Sequence, residues 1–216
     1  MAVKATWLGH SAVLIEDGAT HILIDPYLTD NPMASAKPGD LKADLVLLTH
    51  DHADHLGDTE YFLEQGATFV GVFETAMRYV NQGYAAEPMN TGGSIETKGV
   101  RIHMVEAIHS YGEGVAAGFI VEIGGRQIYH AGDTALTMNM QILNDFFDID
   151  LAFVPIGDRF TMGADSAATA VEWCGAKKAT PIHYGTWPPI QGNPDRFADL
   201  IGGRAAVLKP GESVEV

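Results

Sequence analysis

At 216 residues the chain is long enough to bury a full hydrophobic core in one α/β domain, residues 1–216, and no second domain is expected. A net charge of −15, with only 13 Lys and Arg spread along the sequence, excludes a nucleic-acid surface, because phosphate backbones are held by clustered cations. The single cysteine, Cys174, excludes a disulfide within the chain and reads as a buried thiol on an apolar helix.

The segment Met1-Ala2-Val3-Lys4-Ala5-Thr6 enters a strand directly, without a signal-peptide core. No apolar run approaches membrane-spanning length, so no membrane partner and a cytoplasmic location are the expectations. Residues 3 to 8, 11 to 16 and 20 to 25 read as short strands, the last two joined by the Asp17-Gly18 turn. The third ends in Asp25-Pro26, where proline stops the ladder and leaves a carboxylate at the strand's end. A loop from Asn31 to Gly39 leads to a strand over 44 to 48, and a helix follows to about Gln65. Next come a strand over 67 to 72 and a helix over 74 to 82 closed by Gly83.

After Thr91-Gly92-Gly93, strands are predicted over 100 to 106, 117 to 123 and 126 to 130, the last pair as a hairpin at Gly124-Gly125. A helix over 137 to 146 precedes the apolar strand Leu151 to Pro155. Asp165 or Ser166 caps a helix to about Cys174, and Asn193-Pro194 starts another. Strands near 179 to 182, 205 to 208 and 213 to 216 complete the chain. The two halves share an element order without a residue-level repeat, which predicts two packed sheets with helices outside, a four-layer sandwich.

The densest chemistry lies in Thr49-His50-Asp51-His52-Ala53-Asp54-His55, released by the buried strand before it. His50 and His52, two apart, can turn their rings to one side of an extended segment. Asp54 and His55 lie one turn on and can face a second position, a spacing that suits two metal ions better than one. Three further candidates each follow a predicted strand: His109, Asp133 behind a glycine, and His183.

Over its full length this ordered set, with Asp25 ahead of it, resembles the five-motif signature of the metallo-β-lactamase fold superfamily. Gly9-His10-Ser11, Ile24-Asp25-Pro26, Tyr129-His130-Ala131-Gly132-Asp133-Thr134, Pro155-Ile156-Gly157-Asp158 and Phe160-Thr161-Met162-Gly163 are similar to a metal-dependent hydrolase branch related to the ascorbate-6-phosphate lactonases. The resemblance implies an αββα fold with its site on the edge shared by both sheets. It also implies that His50, His52 and His109 bind one divalent ion and Asp54, His55 and His183 the other, with Asp133 bridging. Asp25 would stand behind them, orienting a ligating histidine. Zinc is the expected metal, with manganese or iron as alternatives.

Asp54 and His10 are the candidate catalytic residues. His10 either meets the substrate or its leaving group, or is a hydrogen-bonding turn histidine. His21 and His103 read as structural or surface residues, and His130 stays outside the ligand set. Arg159 and Tyr184 are candidates for substrate contact, with a solvated arginine and a packed tyrosine preferred.

Departures from the superfamily narrow the expectation. There is no cysteine at a strand end, as in common β-lactamases. There is no room after residue 183 for the helical domain of glyoxalase-II-like thiolesterases, and no basic arm for tRNA. The expected activity is hydrolysis of a small-molecule ester, lactone or phosphodiester by a hydroxide bridging two ions. The alternatives are a non-haem iron redox enzyme and a non-catalytic metal-binding module. Self-association into a homo-oligomer is a further expectation, common among compact α/β enzymes.

Overall fold

The computed structural model describes residues 2–216; Met1, where the strand-entering segment begins, lies outside them. The first half contributes β1 (Lys4–Gly9), β2 (Ala12–Glu16), β3 (His21–Ile24), β4 (Leu45–Leu47), β5 (Thr68–Val72) and β6 (Ala86–Met89). The second contributes β7 (Ser94–Thr97), β8 (Val100–Glu106), β9 (Ala117–Ile123), β10 (Arg126–His130), β11 (Leu151–Pro155), β12 (Lys178–Ile182) and β13 (Ser213–Glu215). One sheet runs β13-β1-β2-β3-β4-β5-β6 and the other β12-β11-β10-β9-β8-β7. In each half antiparallel pairs come first and parallel pairs last, so the shared element order is a shared topology.

Side-chain alternation builds the layers. In β3, Ile22 and Ile24 join the core between the sheets, while Leu23 faces the outer cluster with Phe62 and Phe69. In β11, Leu151 and Phe153 face the inter-sheet core, and Ala152 and Val154 pack outward with Val171, Cys174 and Phe197. Strands buried on both faces carry apolar residues at every position, which is why 45 to 48 and 151 to 155 read as continuous apolar runs. Helices α2 (Thr59–Glu64) and α3 (Phe73–Asn81) cover the first sheet. Helices α4 (Asn139–Phe146), α5 (Ala164–Trp173) and α6 (Pro194–Ile201) cover the second. The result is the expected sandwich of α, β, β and α layers.

Several local expectations are corrected. Both β6 and β7 escape the sequence reading, because they are four-residue edge strands and β6 carries Pro88, tolerated only at an edge. Residues 205 to 208 form no strand and touch the second sheet through a single bridge, Ala205 to Ala179. Helix α5 is capped at Gly163 rather than at Asp165 or Ser166; the Ser166 hydroxyl accepts from the Gly163 N–H at 3.1 Å. A short helix, α1 (Ala53–Leu56), occupies the His-rich stretch before α2. As expected, Asn193 caps α6 by accepting from the Arg196 N–H.

Candidate metal centre

Every candidate residue sits just beyond the end of a strand, and the loops from both sheets meet on one edge. His10 follows β1, Asp25 follows β3, and His50 to His55 follow β4 and run into α1. His109, Asp133 and His183 follow β8, β10 and β12. Two backbone bonds stitch the sheets there: His183 N donates to His10 O at 2.9 Å, and Ala117 N donates to Thr49 O at 3.0 Å. His10, Asp25 and His183 have φ of 54°, 49° and 55°, left-handed values that side chains accept only when their surroundings compel them.

A relay of hydrogen bonds behind the site sets two of the rings. The His55 Nδ1–H donates to Asp25 Oδ2 at 2.7 Å. Thr49 gives Asp25 its N–H at 2.8 Å and its hydroxyl at 2.7 Å, so its oxygen is left to accept from His50 Nδ1 at 3.1 Å. With both Nδ1 atoms committed, the Nε2 atoms of His50 and His55 point away from Asp25 and Thr49. His50 Nε2 meets His52 Nδ1 at 2.9 Å, and the rings of His50, His52 and His109 lie about each other at centroid separations of 4.5 to 5.1 Å.

On the other side, Asp133 reaches three histidines: His183 Nε2 at 3.0 Å, His55 Nε2 at 3.4 Å and His109 Nε2 at 3.6 Å. Donor atoms gather into three overlapping sets, each within 4.8 Å: His50, His52 and His109; His50, His55 and Asp133; and His10, Asp54, His55 and His183. All seven expected ligands are therefore brought to one place, and His10 joins them.

Burial and charge decide the protonation states. Burial, reinforced by His55, pushes His50 down to about 2, and burial also lowers His109, so both rings are neutral and free to donate electron pairs. Burial disfavours charge on His55, yet the carboxylates of Asp133 and Asp25 outweigh it and hold its pKa well above the usual histidine range. Burial would raise Asp133, Asp25 and Asp54, but His55 and the other imidazoles beside them hold all three below the usual carboxylate range. In the metal-free chain three ionised carboxylates thus surround one charged imidazole, whose Nε2 proton a bound ion would displace.

The residues fit a divalent metal. His55 Nε2 and Asp133 Oδ1 are buried and face each other without hydrogen-bond alignment, and neither has another partner among the described residues. Orphaned buried polar atoms are rare, and a pair of them inside a mixed imidazole–carboxylate set is donor chemistry suited to zinc, manganese or iron.

His10 lies deeper than a substrate contact requires. Its ring is fully buried, with Nε2 on Asp54 Oδ2 at 3.1 Å and Nδ1 on the Thr186 hydroxyl at 2.8 Å. Burial drives its pKa down to about 4, so it is neutral near pH 7, with both ring nitrogens engaged by Asp54 and Thr186. His130 stands outside the centre, spanning the two sheets from Nε2 to Ser11 O at 2.9 Å and accepting the Gly132 N–H at 3.2 Å. His21 and His103 pair with Asp44 and Glu122 away from the site. Tyr184 packs on Trp7, and Arg159 stacks on Phe160.

The sequence reading gave no individual role to Thr49, Thr186, Phe160 or Trp187. Phe160 and Trp187 wall the cavity over the centre; Phe160 stood in a motif that carries the resemblance, whereas the one signal for Trp187 was an aromatic residue in a loop after a strand end.

The fold and the site together define a hydrolase of the metallo-β-lactamase type. The β-lactamase superfamily domain matches residues 20–184. A UPF0173 metal-dependent hydrolase of Thermus thermophilus is 45% identical over 97% of each chain, and one of Thermococcus onnurineus is 47% identical over 99% of this chain and 100% of its own. The structure of Igni18, a metallo hydrolase from Ignicoccus hospitalis, superposes with a TM-score of 0.94 at 33% identity, covering 100% of this chain and 99% of that one. The chain belongs to the UPF0173 metal-dependent hydrolase family of the metallo-β-lactamase superfamily, a family of enzymes.

Proposed function

We propose that residues 1–216 act as one domain that hydrolyses a small-molecule ester, lactone or phosphodiester at a centre of two divalent ions, zinc first among them. His50, His52 and His109 would hold one ion, Asp54, His55 and His183 the other, and Asp133 would serve both. The observation that carries this reading is the Asp133 carboxylate, buried among three histidines with Oδ1 unpartnered. When bound, such ions lower the pKa of water towards neutrality and polarise the electrophile's oxygen.

The chain's own groups do the rest. Asp25 and Thr49 engage Nδ1 of His55 and His50 and so leave the Nε2 atom of each ring to a bound ion. Neutral His10, anchored by Thr186, donates from Nε2 to Asp54 and keeps that carboxylate ionised and oriented towards the centre. The walls around His52 and His183 confine the reacting group and limit bulk water.

The test is elemental analysis of purified protein together with proton release in a pH-stat on lactones, phosphodiesters and thioesters. Two ions per chain and acid release from one substrate class are expected. Asp133→Ala should lose metal and turnover together, by more than the roughly 10–100-fold typical of residues that merely support a ligand. Retention of both would sink the assignment.

A further inference from the structure

The mouth of the centre offers aromatic rings and carboxylates to whatever part of the substrate lies outside the reacting group. A cavity of about 260 Å³ opens over the histidine and aspartate donors, with Ser110, Phe160 and Trp187 as its outer walls. A second, of about 620 Å³, shares Asp54 and Trp187 with the first and runs past Tyr27 and Asp30. Trp187 therefore stands at the boundary of the two cavities, and with Phe160 it walls the smaller one above the donors. Phe160 is 57% exposed even with Arg159 stacked on it, and a ring at the rim of a polar site is where binding an apolar group removes much surface from water.

Among the described residues, no lysine or arginine lines either cavity. Arg159 precedes Phe160 in the chain, but its guanidinium lies 5.6 Å from the Phe160 ring and lines a separate groove with Arg196 at the start of α5. Charged groups that do reach the cavities are acidic. Asp30 stands open to the larger one, whereas Asp54 is held by His10 and belongs to the donor set, and Asp58 is engaged by Leu28 N, Thr29 N and the Thr29 hydroxyl. A phosphomonoester carries about −1.5 to −2 charges at neutral pH and is held in proteins by arginine, lysine or clustered backbone N–H groups. Ions at the centre would engage the reacting group, which leaves the arm to the cavity walls.

We infer that the substrate of this hydrolase carries an uncharged apolar or aromatic arm, held by Phe160 and Trp187, and that substrates whose arm ends in a phosphomonoester are rejected at this mouth. The inference rests on the hydrolase reading and narrows it.

The experiment compares two γ-lactones on metal-loaded protein, one with a phenylethyl arm and one with an arm of the same length ending in a phosphomonoester. The expected kcat/KM is at least about tenfold higher for the uncharged arm. Phe160→Ala should raise KM for that substrate about tenfold with a smaller change in kcat, and Arg159→Gln should leave the preference unaltered. Turnover of the phosphorylated lactone at an equal or higher rate, an unchanged KM in Phe160→Ala, or a preference abolished by Arg159→Gln overturns the inference.

Binding is followed separately by Trp187 fluorescence with the corresponding tetrahydrofurans, which lack the carbonyl and cannot be hydrolysed, using Trp187→Phe as the blank. If neither lactone is turned over while the uncharged analogue still binds about tenfold more tightly, the hydrolase reading fails and the mouth assignment stands. If the phosphorylated analogue binds as tightly, the mouth assignment falls whatever the turnover.

Discussion

Thr49 shows what a single hydroxyl does here. It donates to Asp25 and accepts from His50, so one side chain couples the carboxylate that orients His55 to the ring of a second histidine. Thr49→Val keeps the shape, removes both bonds and frees His50 to turn or change tautomer. Metal affinity should fall roughly 10–100-fold, the usual effect of removing a partner behind a ligand, as read by competition with a chromophoric chelator. An unchanged affinity would show that packing alone sets the ring. At this scale the histidines and aspartates were legible, because their side chains have few other reasons to crowd strand ends. Thr49 was not, since its role exists only once β3 and β4 lie side by side and bring Asp25 next to it.

Among elements, the turn after β10 carries the most consequence. Gly132 has φ 63°, and a Cβ there would lie 2.7 Å from Ala117 O and 2.9 Å from the Thr49 Cβ, so the turn that aims Asp133 exists only with glycine. Gly132→Ala should cost about 1–3 kcal/mol in urea unfolding and lower metal occupancy in parallel, because relieving the clash moves Asp133. A variant with wild-type stability and metal content would remove this constraint. Long elements buried on both faces or clearly capped, such as β11 and α6, were readable from pattern. The edge strands β6 and β7 and the four-residue α1 were not, because so few residues leave little periodicity and their pairing partners are distant in sequence.

The molecule as a whole closes its two sheets through the same edge that gathers the donors. Removing metal by chelation should therefore lower the midpoint of thermal unfolding, by an amount set by mass action: about 2.7 kcal/mol when free metal had stood at a hundred times Kd. Acid should act on the stripped protein in a defined window. His10 titrates near 6.5 when unfolded and near 4 when folded, so between those values the unfolded chain binds the extra proton. The His10 contribution is complete above 6.5 and falls as pH drops towards 4, with roughly 3 kcal/mol lost by the lower end. Urea midpoints of the stripped protein and of its His10→Gln variant at pH 7.5, 6 and 4.5 check this, and equal pH slopes in the two would mean that His10 is not buried neutral. The residue types at strand ends, the alternation that makes strands two-faced and the order of elements in each half all follow from the amino-acid sequence read locally. These are properties of composition and spacing. Three relations arise only in the folded chain: His10 turns inward to Asp54, Thr49 joins two rings, and Phe160 and Trp187 wall one mouth. They depend on which distant loops share an edge, and that is set when both sheets pack across their common core.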